Sequence, residues 1–244
     1  MTDEQLLQLR RLFEVMERLR APGGCPWDQA QTHQSLLPFL LEETYETIEA
    51  VEEGGNEALA EELGDLLVEV AMHSAIAAEA RSFDIGEVAR RATEKMVGRH
   101  PHVFGDLEVS GVEQVLGNWE ELKRREKPTR ESALDGIPKS LPALALAAAI
   151  QRRRPATRSD EPAALAAQAL SRLTAPESDA EAAEPILGKL LYAVVALAQE
   201  RQLDAEAALR RYATLRRSEL RRAEIAKGAP AVSDRSRRSR PHPN

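Results

Sequence analysis

The chain has a single cysteine, Cys25, which excludes a disulfide framework. Aromatic residues make up 4% of it, and runs of β-branched residues are nearly absent. Gly and Pro gather instead between long stretches of Ala, Leu, Glu and Arg. Those are good helix formers, so a sheet-based fold is excluded and an all-α fold is predicted. No apolar run of about 18 residues escapes interruption by charge, as a membrane span would require. The opening stretch, MTDEQLLQLRRLF, carries too many charges for a signal peptide, and the cytosol is the expected location. A net charge of −7 and a pI near 5.4 give no overall attraction for nucleic acid polymers or anionic membranes, so neither is expected as a partner. The absence with the largest consequence is local. No Lys or Arg occurs between Arg20 and Arg81, while residues 42–79 hold twelve carboxylates.

The 244 residues suffice for one sizeable core or two small ones of about 100 residues each. A first amphipathic helix is expected over 3–20, followed by a turn-rich break at Ala21-Pro-Gly-Gly-Cys-Pro-Trp-Asp28. A second helix is expected from a Ser35 cap, with Pro38 in its first turn, to about Glu53. After the Gly54-Gly55-Asn56 stop, a third runs over about 57–80, with Leu59, Leu63, Leu66, Leu67 and Val70 on one buried face. These two helices should form an antiparallel hairpin. Helices over 85–99 and 112–126 follow, separated by the His100–Gly105 loop. Further helices are expected at 141–153, 161–172, 181–200 and 203–226. The expected organisation is a first domain over 1–127, a linker over 128–140, a second helical domain over 141–227 and a disordered tail from 228 to 244.

Chemistry is expected in the acidic hairpin. Glu43 with Glu46, and Glu62 with Asp65, have the i, i+3 spacing that places both side chains on one helix face. At about 1.5 Å of rise per residue, the first pair lies about 13–18 Å before the turn and the second about 10–15 Å after it. The pairs can therefore converge. Four oxygen donors without a basic neighbour suit a hard cation, and Mg²⁺ combines carboxylates, waters and substrate phosphates in this way. An isolated acid pair on a helix is most often a solvated face. Asp65, however, sits in Leu63-Gly-Asp-Leu-Leu-Val68, poor company for an ordinary surface aspartate. Glu49 and Glu69 continue the two stripes and are expected to be supporting or solvated groups.

These residues match a family. Glu42-Glu-Thr-Tyr-Glu46 followed by Glu62-Leu-Gly-Asp65 resembles the EExxE and ExxD signature of MazG proteins. Gly24-Cys-Pro-Trp-Asp28, Arg99-His-Pro-His-Val-Phe104, Asn118-Trp-Glu-Glu-Leu-Lys123 and Ala133-Leu-Asp-Gly-Ile-Pro-Lys-Ser-Leu-Pro-Ala143 resemble the segments flanking it, in the same order. Either short motif alone is a modest signal, whereas the ordered set is specific. The resemblance covers residues 1 to about 150 strongly and the rest weakly. It implies a helical bundle, usually dimeric, that hydrolyses nucleoside triphosphates to the monophosphate and pyrophosphate. Carried over motif to motif, Glu43, Glu46, Glu62 and Asp65 would hold Mg²⁺, with Mn²⁺ a possible substitute. Glu42 becomes the leading candidate to orient or deprotonate the attacking water. Lys95, Arg99 and Lys123 occupy positions like those that contact nucleotide in the family. Trp119 and Trp27 offer flat surfaces for a base, though a tryptophan is more often a core anchor. His100 and His102 lack the further ligands zinc needs, and Cys25 has no evident histidine to activate it. A nucleotide-sensing or partner-binding module without turnover is the alternative from another class.

The second half departs from the family pattern. Gly188-Lys-Leu-Leu-Tyr192 resembles a second copy of Gly64-Asp-Leu-Leu-Val68, but Lys189 stands where Asp65 does and Ile186 where Glu62 does. Leu215 and Glu219 replace Lys95 and Arg99. A lysine repels Mg²⁺ and isoleucine offers no donor. Leu187, Leu190, Leu191, Val194, Val195, Leu197, Leu209 and Leu215 still supply apolar surface, so a structural role is expected for this half.

Overall fold

A computed structural model describes residues 1–125, 131–154, 161–175 and 180–226. Every regular element among the described residues is helical. The chain divides into two units, residues 1–128 and 129–244.

In the first unit, α1 (Asp3–Arg20) begins at a capping box. Thr2 Oγ1 accepts from the Gln5 amide at 3.3 Å, and Gln5 Oε1 accepts from the Thr2 amide at 2.8 Å, so two orphan donors of the first turn are satisfied together. The chain then doubles back, with Cys25 N donating to Leu19 O at 2.7 Å. Gly24 is required by that approach, since a Cβ there would lie 2.2 Å from Leu19 O. Where only a turn was expected, a short helix α2 (Pro26–Ala30) forms. Pro26 starts it with a preset φ and no N–H to satisfy. Helix α3 (Leu37–Glu53) starts one residue later than a Ser35 cap would have placed it, with Leu36 at the cap position. Ser35 instead closes a local turn, its Oγ accepting from Thr32 N at 2.9 Å and its N–H donating to Thr32 Oγ1 at 3.1 Å. Gly54, at φ +80°, ends α3 in the left-handed conformation. Then come α4 (Asn56–Glu79), α5 (Ile85–Arg99), the short α6 (Pro101–Phe104) within the expected loop, and α7 (Val112–Arg125). Asp84 caps α5 by accepting from Glu87 N at 2.9 Å.

Helix α4 packs against both α1 and α3, which makes it the central element. Met16, Leu36, Ala71 and Met72 are buried together, and Leu12, Phe13, Leu19, Phe39, Val68 and Ile76 pack around them. The expectation that Leu63, Leu67 and Val70 form a buried face is corrected, for these three are 48%, 38% and 40% exposed. Apart from Met72, the side of α4 turned into the unit is built from small and polar residues, Glu69, Ala71, Ser74, Ala75 and Ala77. Such residues admit close helix approach, and the leucine row is turned away from it.

Arg20 locks this arrangement. Its side chain is 5% exposed. Nε and Nη2 donate to the two carboxylate oxygens of Glu79, at 2.8 and 2.7 Å, and Nη1 donates to Asp28 O at 2.5 Å and Gln31 O at 3.3 Å. One guanidinium thus ties the end of α1 to α2 and to the end of α4.

In the second unit, α8 (Ala143–Arg153), α9 (Pro162–Leu173), α10 (Ala180–Glu200) and α11 (Ala205–Ala226) follow one another. Helices α9 and α10 pair most extensively, and α8 joins them against α10. Ala169, Ala193 and Val195 are buried, and Gln199 Nε2 donates to Ala148 O at 2.9 Å. Arg153 Nη1 donates to Asp135 O at 2.7 Å, attaching residues 131–137 to α8. Of the apolar row read from the sequence, Val195 is fully buried whereas Leu187, Leu191, Val194, Leu209 and Leu215 are more than 40% exposed. The expected tail, 228–244, and residues 128–130 of the expected linker lie outside the described residues.

Replacing Arg20 by methionine keeps the aliphatic stem but strands two partly buried backbone carbonyls and leaves Glu79 without this partner. We expect a loss of roughly 2–4 kcal/mol of stability, measured by urea denaturation, and Glu79→Gln to cost less because its carboxylate is half exposed.

Candidate metal and nucleotide site

The hairpin of α3 and α4 brings carboxylates of both helices together. Oxygens of Glu43, Glu62 and Asp65 all lie within 4.8 Å of one another. Glu43 and Glu62 are partly buried, and Asp65 is exposed. Nearby hydroxyls are consumed by the backbone, since Thr47 Oγ1 donates to Glu43 O at 2.8 Å and Thr44 Oγ1 to Leu40 O at 2.6 Å.

Electrostatics follow from this crowding. Burial pushes the Glu43 carboxyl above its ordinary range, and the charges of Glu46, Asp65, Glu62 and Glu42 push it further. Glu62 is raised in the same way, by burial first and then by Glu46, Asp65 and Glu61. Its Oε2 is buried with no hydrogen-bond partner. An orphaned oxygen on one of three converging carboxylates fits a hard divalent cation, the ligand type that supplies the missing interaction. Glu46 is exposed and lies outside the converging three, yet its charge acts on both Glu43 and Glu62. Glu42 and Glu49 are exposed.

The polar stripe of α4 runs inward from the cluster. Glu69 is 6% exposed, its carboxyl is raised by burial, and its Oε2 is unpaired. One turn further, His73 Nδ1 lies 2.8 Å from His33 Nδ1, with the two rings stacked at 5.1 Å. Burial and the His33 ring lower the His73 pKa. The sequence reading missed this pair. Residue 73 does fall on the Glu62, Asp65, Glu69 face by helical spacing, but residue 33 lies in a turn whose path no periodicity reveals.

Cationic and aromatic candidates assemble on α5 and α7. The Arg99 guanidinium sits 5.2 Å from the centroid of the Trp119 ring. His100 meets the same ring edge-on, at 5.0 Å and 70°. Lys95 is exposed one turn before Arg99, and Lys123 is half-buried one turn after Trp119. His100 Nδ1 bonds to Met96 O at 2.6 Å, which commits that nitrogen to the backbone. Trp27 is 49% exposed and packs edge-on against Phe39, so it belongs to the margin of the core.

Residues 31–104 match the MazG nucleotide pyrophosphohydrolase domain. The chain is 46% identical over 153 residues to an uncharacterized protein, YabN, of Bacillus subtilis, covering 62% of this chain and 31% of that protein. It is 39% identical over 205 residues to the nucleoside triphosphate pyrophosphohydrolase/pyrophosphatase MazG of Thermotoga maritima, covering 82% of this chain and 79% of that one. Over 149 residues it is 43% identical to the nucleoside triphosphate pyrophosphohydrolase of Escherichia coli, covering 60% and 57%. The chain thus spans about a third of the Bacillus protein and little more than half of the Escherichia protein. It belongs to the MazG family.

Because the folded-state pKa values of Glu43 and Glu62 are raised, the native cluster binds protons more readily than the unfolded chain. Its contribution to stability is greatest below the ordinary carboxylate pKa and is lost as pH rises through the raised values. Glu62→Gln should therefore melt at a higher temperature than wild type at pH 7 in EDTA, with the gap closing near pH 4. Adding Mg²⁺ should raise the melting temperature of wild type and leave the variant nearly unmoved.

Proposed function

We propose that the first unit is a Mg²⁺-dependent nucleoside triphosphate pyrophosphohydrolase, releasing pyrophosphate and the monophosphate from ribo- and deoxyribonucleotides in the cytosol. The observation that carries this reading is the convergence of Glu43, Glu62 and Asp65 within 4.8 Å, in a segment without Lys or Arg from 21 to 80. Glu43, Glu62 and Asp65, with Glu46 at the rim, would hold the metal. Mg²⁺, when bound, neutralises the phosphates and polarises the one under attack, and Mn²⁺ can take the same oxygen donors. Lys95, Arg99 and Lys123 bind the polyphosphate. Trp119, held between Arg99 and His100, presents its ring to the base. Glu42 is the group we assign to orient the attacking water, being next to Glu43 but outside the three converging carboxylates.

We further propose that the protein works as a homodimer with the second unit as a degenerate copy of the first. Leu37, Leu41 and Val51 on α3, and Leu63, Leu67 and Val70 on α4, are 38–59% exposed. Rows of large apolar side chains on adjacent helices favour burial against a partner. The second copy retains its hairpin, α9 with α10, and lacks the acidic ligands.

Incubated with Mg²⁺, the protein should release pyrophosphate and not orthophosphate from several nucleoside triphosphates. Orthophosphate alone, or no product with either Mg²⁺ or Mn²⁺, would exclude the reading. Asp65→Ala, Glu46→Ala and Glu43→Ala should each lower turnover by more than the roughly 10- to 100-fold typical of losing a group that merely supports a metal ligand. Far-ultraviolet circular dichroism should remain that of wild type, since none of the three fills a core. Lys189→Asp should add no turnover to the Asp65→Ala variant.

A further inference from the structure

The second unit contains a groove of about 1320 Å³ between the end of α8 and the α9–α10 hairpin. Three observations bear on what it holds. The first is charge. Arg152, Arg154 and Lys189 line it, with Glu161 and Glu200 the acidic residues of its described lining, in a chain of net charge −7. Arg152, Arg154 and Lys189 are exposed, and none has a side-chain hydrogen bond or ion pair with a described residue. Unpaired cations around a concave surface concentrate anions there.

The second observation is a buried acceptor. Gln151 lines the groove and is 6% exposed. Its Nε2 donates to Tyr192 O at 2.8 Å, which fixes the amide orientation and leaves Oε1 buried without a partner. A buried carbonyl with nothing to accept from is unfavourable, and a ligand N–H or O–H would remove that cost. The Tyr192 ring, 44% exposed, lines the same groove beside Leu165 and Ala169. An aromatic face, an acceptor and a cationic rim together match a ring carrying N–H donors and an anionic group.

The third observation is position. Ile186, Gly188 and Lys189 all line the groove, and they align with Glu62, Gly64 and Asp65 of the acidic hairpin. A Cβ at Gly188 would meet nothing within 4 Å, as at Gly64. The groove thus lies where a second acidic clamp would stand, with the sign of its charge reversed. In the first unit a carboxylate clamp needs a cation to approach a phosphate. Lysine and arginine approach one directly.

We propose that this groove is a metal-independent binding site for a nucleoside phosphate. Arg152, Arg154 and Lys189 take the phosphate, the Tyr192 ring and its apolar neighbours take the base, and Gln151 Oε1 accepts from a base or ribose donor. The site does not depend on turnover in the first unit. The test is calorimetric titration of the full-length protein, in EDTA, with adenosine, guanosine and uridine monophosphates. At least one of them should bind at one site per chain, with affinity unchanged in Asp65→Asn. Lys189→Glu and Arg152→Glu should each weaken it at least tenfold. Gly188→Leu, which fills the groove and replaces a helix-weakening glycine, should abolish it while helicity by circular dichroism is retained. No binding of any of the three in EDTA would overturn the proposal, as would wild-type affinity in Lys189→Glu and Gly188→Leu. Inorganic phosphate or pyrophosphate binding as tightly as the nucleotides would overturn the nucleoside assignment.

Discussion

The first unit depends on holding like charges together without a cation of its own. Glu43, Glu62 and Asp65 repel one another, and the sequence supplies no lysine or arginine between positions 20 and 81 to relieve them. Flexible side chains on loops would move apart. These sit on helices of 17 and 24 residues whose separation is set elsewhere, by the packing of α4 on α1 and α3 and by Arg20 at the far end of α4. Arg20 is thus spent on architecture, with two Glu79 oxygens and two backbone carbonyls around it. In the proposed metal site, rigid placement of repelling carboxylates would keep the site open before a metal arrives.

Much of this was legible in the sequence because helices advertise themselves by composition and periodicity. The all-α class followed from good helix formers and few aromatics, and the acidic hairpin from an i, i+3 pattern on either side of a Gly-Gly turn. The convergence of the pairs Glu43 with Glu46 and Glu62 with Asp65 could be argued from helical rise alone, although Glu46 stays outside the three that meet. Local hydrogen bonding was less visible. Ser35 has the chemistry of a cap, but Thr32 competes for its hydroxyl and the helix begins later. Pro26 marked a turn and also started a helix of one turn. Contacts between residues far apart in sequence gave no signal at all. Neither Arg20 with Glu79 nor His33 with His73 is announced by any spacing, because each rests on how α1 and the 31–36 turn lie against α4.

Helix α4 also shows why an apolar row does not by itself identify the side turned to the core. Its leucine row, read as buried, is half exposed, and its tightest packing uses alanines, Ser74 and Met72. Small residues let α1 and α3 approach the backbone, whereas leucines would hold them away. A helix with polar ligands on one face and small residues on a second has a third face left for large apolar groups, and in the proposed dimer that face is covered by another copy.

The two hairpins express one constraint in opposite ways. A glycine sits one residue before the diagnostic position in each, Gly64 before Asp65 and Gly188 before Lys189, and neither glycine is crowded by a neighbouring atom. Open backbone at that point costs helix stability, roughly 0.5–1 kcal/mol relative to alanine. If the second unit is the degenerate copy proposed above, the same cost at both positions fits a use for the space beside each helix. A purely structural second unit would gain by filling it, as Gly188→Leu would do. Keeping the space while exchanging a carboxylate for an ammonium changes which ion the surface attracts and preserves room for something to lie against it.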